Sequence, residues 1–180
     1  ASIIVTGSID LTGTRLPELP RFGMRMELQQ SYENLTYYGR GPLENYIDRY
    51  SSSFIGRYED KVENQFYWYI RPQETGNKTD VRWLALLNSE GEGVKITGLQ
   101  PIAFSALHFS PEDLDPGLTR KLQHTIDIVP QKNIFLHVDL KQRGLGGDNS
   151  WGMYPYNKYR LLDKKYVYSY MIELAEKGSD

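Results

Sequence analysis

Residues 22–29 read Phe-Gly-Met-Arg-Met-Glu-Leu-Gln, with an apolar side chain at every second place. That is the two-residue period of a strand with one dry face and one wet face, and it suits neither a helix nor a fully buried segment. The style recurs along the chain. Leu35 to Tyr38 continues it, and Ile134, Leu136, Val138 and Leu140 alternate. Tyr166, Tyr168, Tyr170, Ile172 and Leu174 share one face of a last strand. Val81 to Leu87 is apolar almost throughout, which predicts a central strand covered on both sides. Gln65 to Arg71 sets Phe66, Trp68 and Ile70 against Tyr67 and Tyr69, predicting a strand with two aromatic faces. Ile3 to Leu11 reads as a strand pair around Gly7, Val94–Ile96 and Ile102–Phe109 as further strands, and Leu122, Ile126 and Ile128 as another alternation.

Only Ser110-Pro-Glu-Asp113 starts a helix convincingly. Ser110 can cap, Pro111 fits the first turn and the acids suit its positive end. Pro116 and Gly117 stop it within two turns. About ten or more short strands separated by turn clusters predict an all-β sandwich. With 180 residues and no repeat or interior linker, one domain over 1–180 is expected.

Twenty-one basic against 23 acidic residues leave a net charge of −2. No single-sign field argues for nucleic acid or an anionic membrane, and no apolar run approaches the roughly 18 residues of a membrane helix. The chain has no cysteine, hence no disulfide framework. His108, His124 and His137 lie far apart without zinc-site spacing, so no metal is expected in this domain and no cofactor. Fourteen tyrosines and three tryptophans are the unusual part of the composition, and such residues build strands or binding surfaces.

Three stretches concentrate polar chemistry. Residues 40–49 contain Arg40, Glu44, Asn45, Asp48 and Arg49 around a tight turn. Residues 71–83 contain Gln73, Glu74, Asp80 and Arg82. Arginine forks match carboxylates, so one reading is buried ion pairs between the loops, with Arg49 and Arg82 meeting Glu44, Asp48 or Asp80. The other is a polar floor for a hydroxyl-rich ligand. The third stretch, Gly144-Leu-Gly-Gly-Asp-Asn-Ser-Trp151, frees its backbone with glycines and fixes a turn with Asp148, Asn149 and Ser150 before presenting a large ring. Trp151 either folds into the core or stands out as an aromatic platform.

In this order, Arg40-Gly-Pro-Leu-Glu-Asn-Tyr-Ile-Asp-Arg49, Pro72-Gln-Glu-Thr-Gly-Asn-Lys-Thr-Asp-Val-Arg-Trp83 and the glycine-rich stretch resemble the C-terminal, small-chain domain of β-galactosidases in glycoside hydrolase family two. The resemblance runs from about Leu16 to Leu174. It implies an antiparallel supersandwich similar to galactose mutarotases, packed on a catalytic barrel of the same polypeptide that supplies both catalytic glutamates. The parent would hydrolyse a terminal β-galactoside by the retaining two-carboxylate mechanism. The Asn-Glu pair marking that family's acid/base residue is absent here, so the chain looks like a fragment with no catalytic residues of its own. Trp151 matches the tryptophan that reaches the sugar, so the resemblance implies an exposed, sugar-facing ring, with Asp148 and Asn149 as further binding candidates. Asn149 stands where the family has a second aspartate, so no role that needs an anion carries over. Implied partners are the β-galactoside and the barrel, with no nucleic acid or membrane, in a parent that could be homo-oligomeric. The compartment stays open between bacterial cytoplasm and periplasm.

Two alternatives remain. A stand-alone aldose 1-epimerase would need an acid and a base, for instance His108 or His137 with a carboxylate. A purely structural module would bury these loops between domains.

Overall fold

Strand β6 (Gly93–Leu107), 15 residues long, is where the sheet divides. One edge pairs with β5 (Lys78–Leu87). The other edge pairs over Gly93–Gly98 with β8 (Lys165–Ala175), and over Ala103–Leu107 with β7 (Ile134–Gln142). Pro101, which has no N–H to give a ladder, lies between the two halves. This computed structural model describes residues 1–115, 117, 123–147, 149 and 151–175. Its antiparallel path runs β1 (Ser2–Asp10), β8, β6, β5, β3 (Asn34–Gly41) and β4 (Phe54–Lys61), while β2 (Arg21–Leu28) pairs with β7.

The tyrosines of β8 fill the space between the two branches. Tyr168 donates from its hydroxyl to the Val138 carbonyl at 2.9 Å, and its ring lies 5.5 Å from that of Phe22. Tyr170 reaches Met24 Sδ at 3.3 Å. These rings join Leu35, Tyr37, Leu84, Leu86, Ile96, Ile102, Phe104, Ile134 and Leu136 in one buried cluster. The result is the all-β sandwich that the alternation predicts. β5 lies between β3 and β6, which fits a run that is apolar at every place from Val81 to Leu87 except Arg82.

Helix α1 (Pro111–Leu114) is a single turn with the expected cap: Ser110 accepts from the Asp113 amide, and Asp113 accepts from the Ser110 amide at 2.7 Å. Gly117 takes a left-handed φ of +82°, while Pro116 lies outside the described residues.

Four expectations need correction. Ile3 to Leu11 is not a pair of strands. It is one strand, β1, in continuous register with β8, and Gly7 is small because a Cβ there would come within 2.7 Å of the Tyr168 ring. Residues 65–71 form no strand. A 3-10 turn at Val62–Gln65 leads into an irregular loop, in which the Tyr67 amide bonds the Thr75 hydroxyl at 3.1 Å instead of a neighbouring strand. Its aromatic side chains build a second small core, with Phe66 4.4 Å from Phe109, beside Leu107, Leu114 and Ile128. Ile126 and Ile128 belong to a 3-10 turn at Thr125–Asp127 and its exit, with Ile126 exposed and Ile128 buried, and Leu122 lies outside the described residues. Val94–Ile96 and Ile102–Phe109, expected as separate strands, join in the single strand β6, which ends at Leu107. The described residues therefore form eight strands, fewer than expected, through two mergers and two runs that are loops.

β2 and β7 shift register between Phe22 and Gly23. A Cβ on Gly23 would fall 1.8 Å from Asp139 Oδ1 and 2.6 Å from its Cα, so this strand position admits only glycine. Overpacking at such a site costs about 1–3 kcal/mol or more. Gly23→Ala should lower the unfolding free energy by at least that much, seen as a lower urea midpoint, and an unchanged midpoint would mean the two backbones are not this close.

Candidate functional site

The turn between β3 and β4 supplies three acceptor side chains, which together hold two other segments of the chain. Glu44, with a side chain 11% exposed, accepts through Oε1 from Arg49 Nη2 at 2.6 Å and from the Tyr69 hydroxyl. Through Oε2 it accepts from the Thr75 hydroxyl at 3.0 Å and the Gly76 amide at 2.8 Å. All four lone-pair positions of the carboxylate are thus in use.

Asn45 is fully buried. Its amide nitrogen donates to the Arg40 and Leu43 carbonyls at 3.1 and 3.0 Å, closing its own turn. Its oxygen accepts from the Thr79 amide and hydroxyl at 2.9 and 2.6 Å. The backbones add a reciprocal pair: the Asn45 amide donates to the Asn77 carbonyl at 2.8 Å, and the Asn77 side chain donates to the Asn45 carbonyl at 2.7 Å. This satisfies buried backbone groups that have no ladder partner.

Asp48 turns toward the glycine-rich loop and accepts from the Gly146 amide at 2.8 Å. Gly144 must lack a side chain because a Cβ there would meet the Asp48 carboxyl carbon at 2.6 Å. Gly146 and Gly147 take φ of +73° and +102°, the left-handed geometry anticipated for that loop. The Trp151 amide donates to Asn149 Oδ1 at 2.8 Å, a tight local turn. The Trp151 ring is 91% exposed, and Met153, Tyr154 and Tyr156 beside it are exposed too. Trp151 is therefore not a core residue in this chain. Asp148, the remaining binding candidate, lies outside the described residues.

The predicted ion pairs are partly rearranged. Arg49 meets Glu44, but its side chain is 53% exposed instead of buried. Arg82 is exposed and meets the Asp80 carbonyl instead of a carboxylate, because its strand position points to the wet face. Asp80 pairs with Arg40 at 2.5 Å instead, and the Arg40 guanidinium lies 4.4 Å above the Tyr50 ring. Asp80 itself takes a positive φ of 52°. Asp48 pairs with no arginine among the described residues. Gln73 is exposed at the turn.

The arginine that links the second motif to the sandwich is one the sequence did not single out. Arg21 donates to buried Asp139 from Nε and Nη2 at 3.0 and 2.7 Å, and to Glu74 from Nη1 at 3.3 Å. Burial raises both carboxyls above their usual range while Arg21 opposes the shift. Lys78, only 2% exposed, is a second residue missed. Arg21 opens an alternating strand and Lys78 sits among polar loop residues, so neither carries a local signal of burial.

The histidines lie apart from these loops. His108 has both ring nitrogens engaged, by Glu33 Oε2 at 2.8 Å and the Asn133 carbonyl at 3.2 Å. His137 is held down to about 4, first by burial and then by Arg21 and Arg25. The described residues contain no acidic or histidine cluster able to hold a metal ion, and no helix long and apolar enough to cross a membrane.

Comparison with known proteins shows what the chain is similar to. The model of the β-galactosidase small chain matches residues 2–172. A β-galactosidase of Priestia megaterium is 38% identical over 146 residues, covering 81% of this chain and 14% of that protein. One from Streptococcus thermophilus is 33% identical over 173 residues, covering 95% of this chain and 16% of its own length. One from Halalkalibacterium halodurans is 33% identical over 150 residues, covering 83% and 14%. The chain thus spans about a seventh of the relatives it matches.

Stranding buried donors costs about 1–3 kcal/mol each. Asn45→Ala strands the Thr79 amide and hydroxyl, so it should lower unfolding stability by about 2–4 kcal/mol in a denaturant titration. Arg82→Ala should stay within about 0.5 kcal/mol of the parent chain. The reverse order would show that the arginines, not the asparagine, hold the loops.

Proposed function

The chain belongs to the β-galactosidase small-chain family, and we propose that it is one domain of a larger β-galactosidase, in which Trp151 gives the sugar an aromatic face to stack on. The observation that carries this reading is the ring's 91% exposure at the end of a loop whose base is fixed by Asp48. A large ring left in water costs free energy unless something covers it, and sugars present flat apolar C–H faces that do so. Asn149 shapes the turn before the ring through its bond to the Trp151 amide, so its part is positioning. Asp148 is proposed as a hydrogen-bond partner for sugar hydroxyls, on the strength of the motif alone.

The rest of the polypeptide would supply the barrel, both catalytic glutamates and the retaining chemistry of glycoside hydrolase family two. This chain would be one domain, with the mutarotase-like supersandwich form. In that arrangement Glu44, Asn45 and Asp48 set where the platform stands and take no part in bond breaking. The epimerase reading draws less support, because both nitrogens of His108 are committed and burial holds His137 down to about 4. A purely structural module would cover Trp151 with a neighbouring domain, and the kinetics of Trp151→Ala separate it from this reading.

Trp151→Ala in the full-length enzyme should raise KM for a nitrophenyl β-galactoside roughly tenfold, the worth of about 1.4 kcal/mol of contact. The same change in the 180-residue chain should leave its melting temperature nearly unmoved, since a core tryptophan would cost ~3–5 kcal/mol. A large loss of stability with unchanged kinetics would overturn the assignment. The isolated chain should show no turnover of that substrate above background.

A further inference from the structure

A cavity of about 330 Å³ opens beside the motif loops, between the turn after β3 and the loop that follows β4. Leu43, Phe66 and Tyr67 line it with apolar surface, and Asn64, Arg49 and Lys78 add polar groups. Its volume is at the lower end of small-molecule sites and far above the ~30 Å³ of one water.

The Lys78 amine is the group that needs explaining. It is 2% exposed, yet its Nζ meets only neutral acceptors, Gln65 Oε1 at 3.0 Å and the Gly76 carbonyl at 3.3 Å. An ammonium has three protons to donate, so one is left over. The two acids near it are already committed. Glu44 accepts from Arg49, Tyr69, Thr75 and Gly76. Asp60 accepts from the Lys61 amide, Asn64 and Gln65. No described carboxylate forms an ion pair with Lys78, and a buried charge ordinarily has one. Arg49 engages Glu44 and Tyr69 through Nη2 alone, so Nη1 and Nε still have hydrogens to give. The cavity therefore offers spare donors of positive charge, saturated acids and apolar walls. A sugar, which must donate as much as it accepts, finds few acceptors here.

We propose that this cavity binds a small monocarboxylate with an apolar or aromatic body, the carboxylate pairing with the Lys78 ammonium and the body lying against Phe66, Tyr67 and Leu43. The inference does not depend on the role of Trp151. Burial holds the Lys78 amine down to about 8, with Glu44 and Asp60 pulling the other way, as for a cation short of counter-charge. Arg49, Tyr67 and Tyr69 are the other titratable groups lining the cavity. The carboxylate could come from a free small molecule or from an aspartate or glutamate elsewhere in the parent polypeptide.

The probe is phenylacetate, titrated calorimetrically into the 180-residue chain at about pH 7 and about pH 9.5, with neutral phenylacetamide alongside. Saturable one-to-one binding is expected at the lower pH. With an amine near 8, affinity should fall roughly 30-fold at the higher pH as the ammonium is lost. The amide should not bind, and Lys78→Met should abolish phenylacetate binding. If Lys78→Met fails to fold, the pH and amide comparisons on the unaltered chain still decide. Equal binding of the amide, an affinity indifferent to pH, or no saturation at millimolar probe would each overturn the proposal. A full-length parent that refuses phenylacetate while the short chain takes it would identify the occupant as a side chain of the polypeptide, and equal binding by both would identify a free ligand.

Discussion

The structure around the site depends on one turn between β3 and β4 that carries more acceptors than its own backbone needs. Glu44, Asn45 and Asp48 receive the amides of Gly76, Thr79 and Gly146, which come from two other segments of the chain. The segment from Phe66 to Asn77 has no strand ladder, and neither do residues 143–147 or 151–156. Their backbone groups would be costly to bury without side-chain partners. Side chains thus do between these loops what backbone pairing does within the sheet. Because the acceptors sit within five residues of one another on the same turn, the loops cannot shift independently. Trp151 lies five residues beyond the Gly146 end of this tether.

The second motif is tied to the place where the sheet divides. β6 gives one half of its edge to β8 and the other to β7, and the two branches close over the tyrosines of β8. Asp139 on β7 is wholly buried, pressed against Gly23, and its charge is met by Arg21, which also reaches Glu74 in the second motif. Breaking a buried pair by removing one partner costs about 3–5 kcal/mol because the other charge is stranded. Sandwich and motif loops are coupled at this point. The cation in the neighbouring cavity, Lys78, has no such ion-pair partner among the described residues and meets only Gln65 and the Gly76 carbonyl.

The alternating strands β2, β7 and β8 were legible because a period of two is written directly in residue type, and the single capped turn of α1 was legible in Ser110 and Pro111. The aromatic run at residues 65–71 was misleading. The same alternation that suits a strand also serves a loop whose rings pack on Phe109, and only the long-range contact distinguishes them. In the site, the three motifs pointed to the right loops, and Glu44 and Arg49 do meet. The arginine partners were otherwise misassigned, because the face on which Arg82 lies depends on an irregularity in β5 and a left-handed Asp80 that residue type does not announce. Arg21 and Lys78 were invisible for a related reason: their burial comes from segments more than ten residues away.

The tether itself is tested most directly by backbone hydrogen exchange at Gly146. The account requires this amide to be protected, although it lies in a glycine-rich surface loop, because its hydrogen points at Asp48. In Asp48→Ala it should exchange at the rate of an open loop while amides of β5 and β6 keep their protection. An amide at Gly146 that exchanges freely in the unaltered chain, or one still protected without Asp48, would contradict the claim that one turn holds the three loops together.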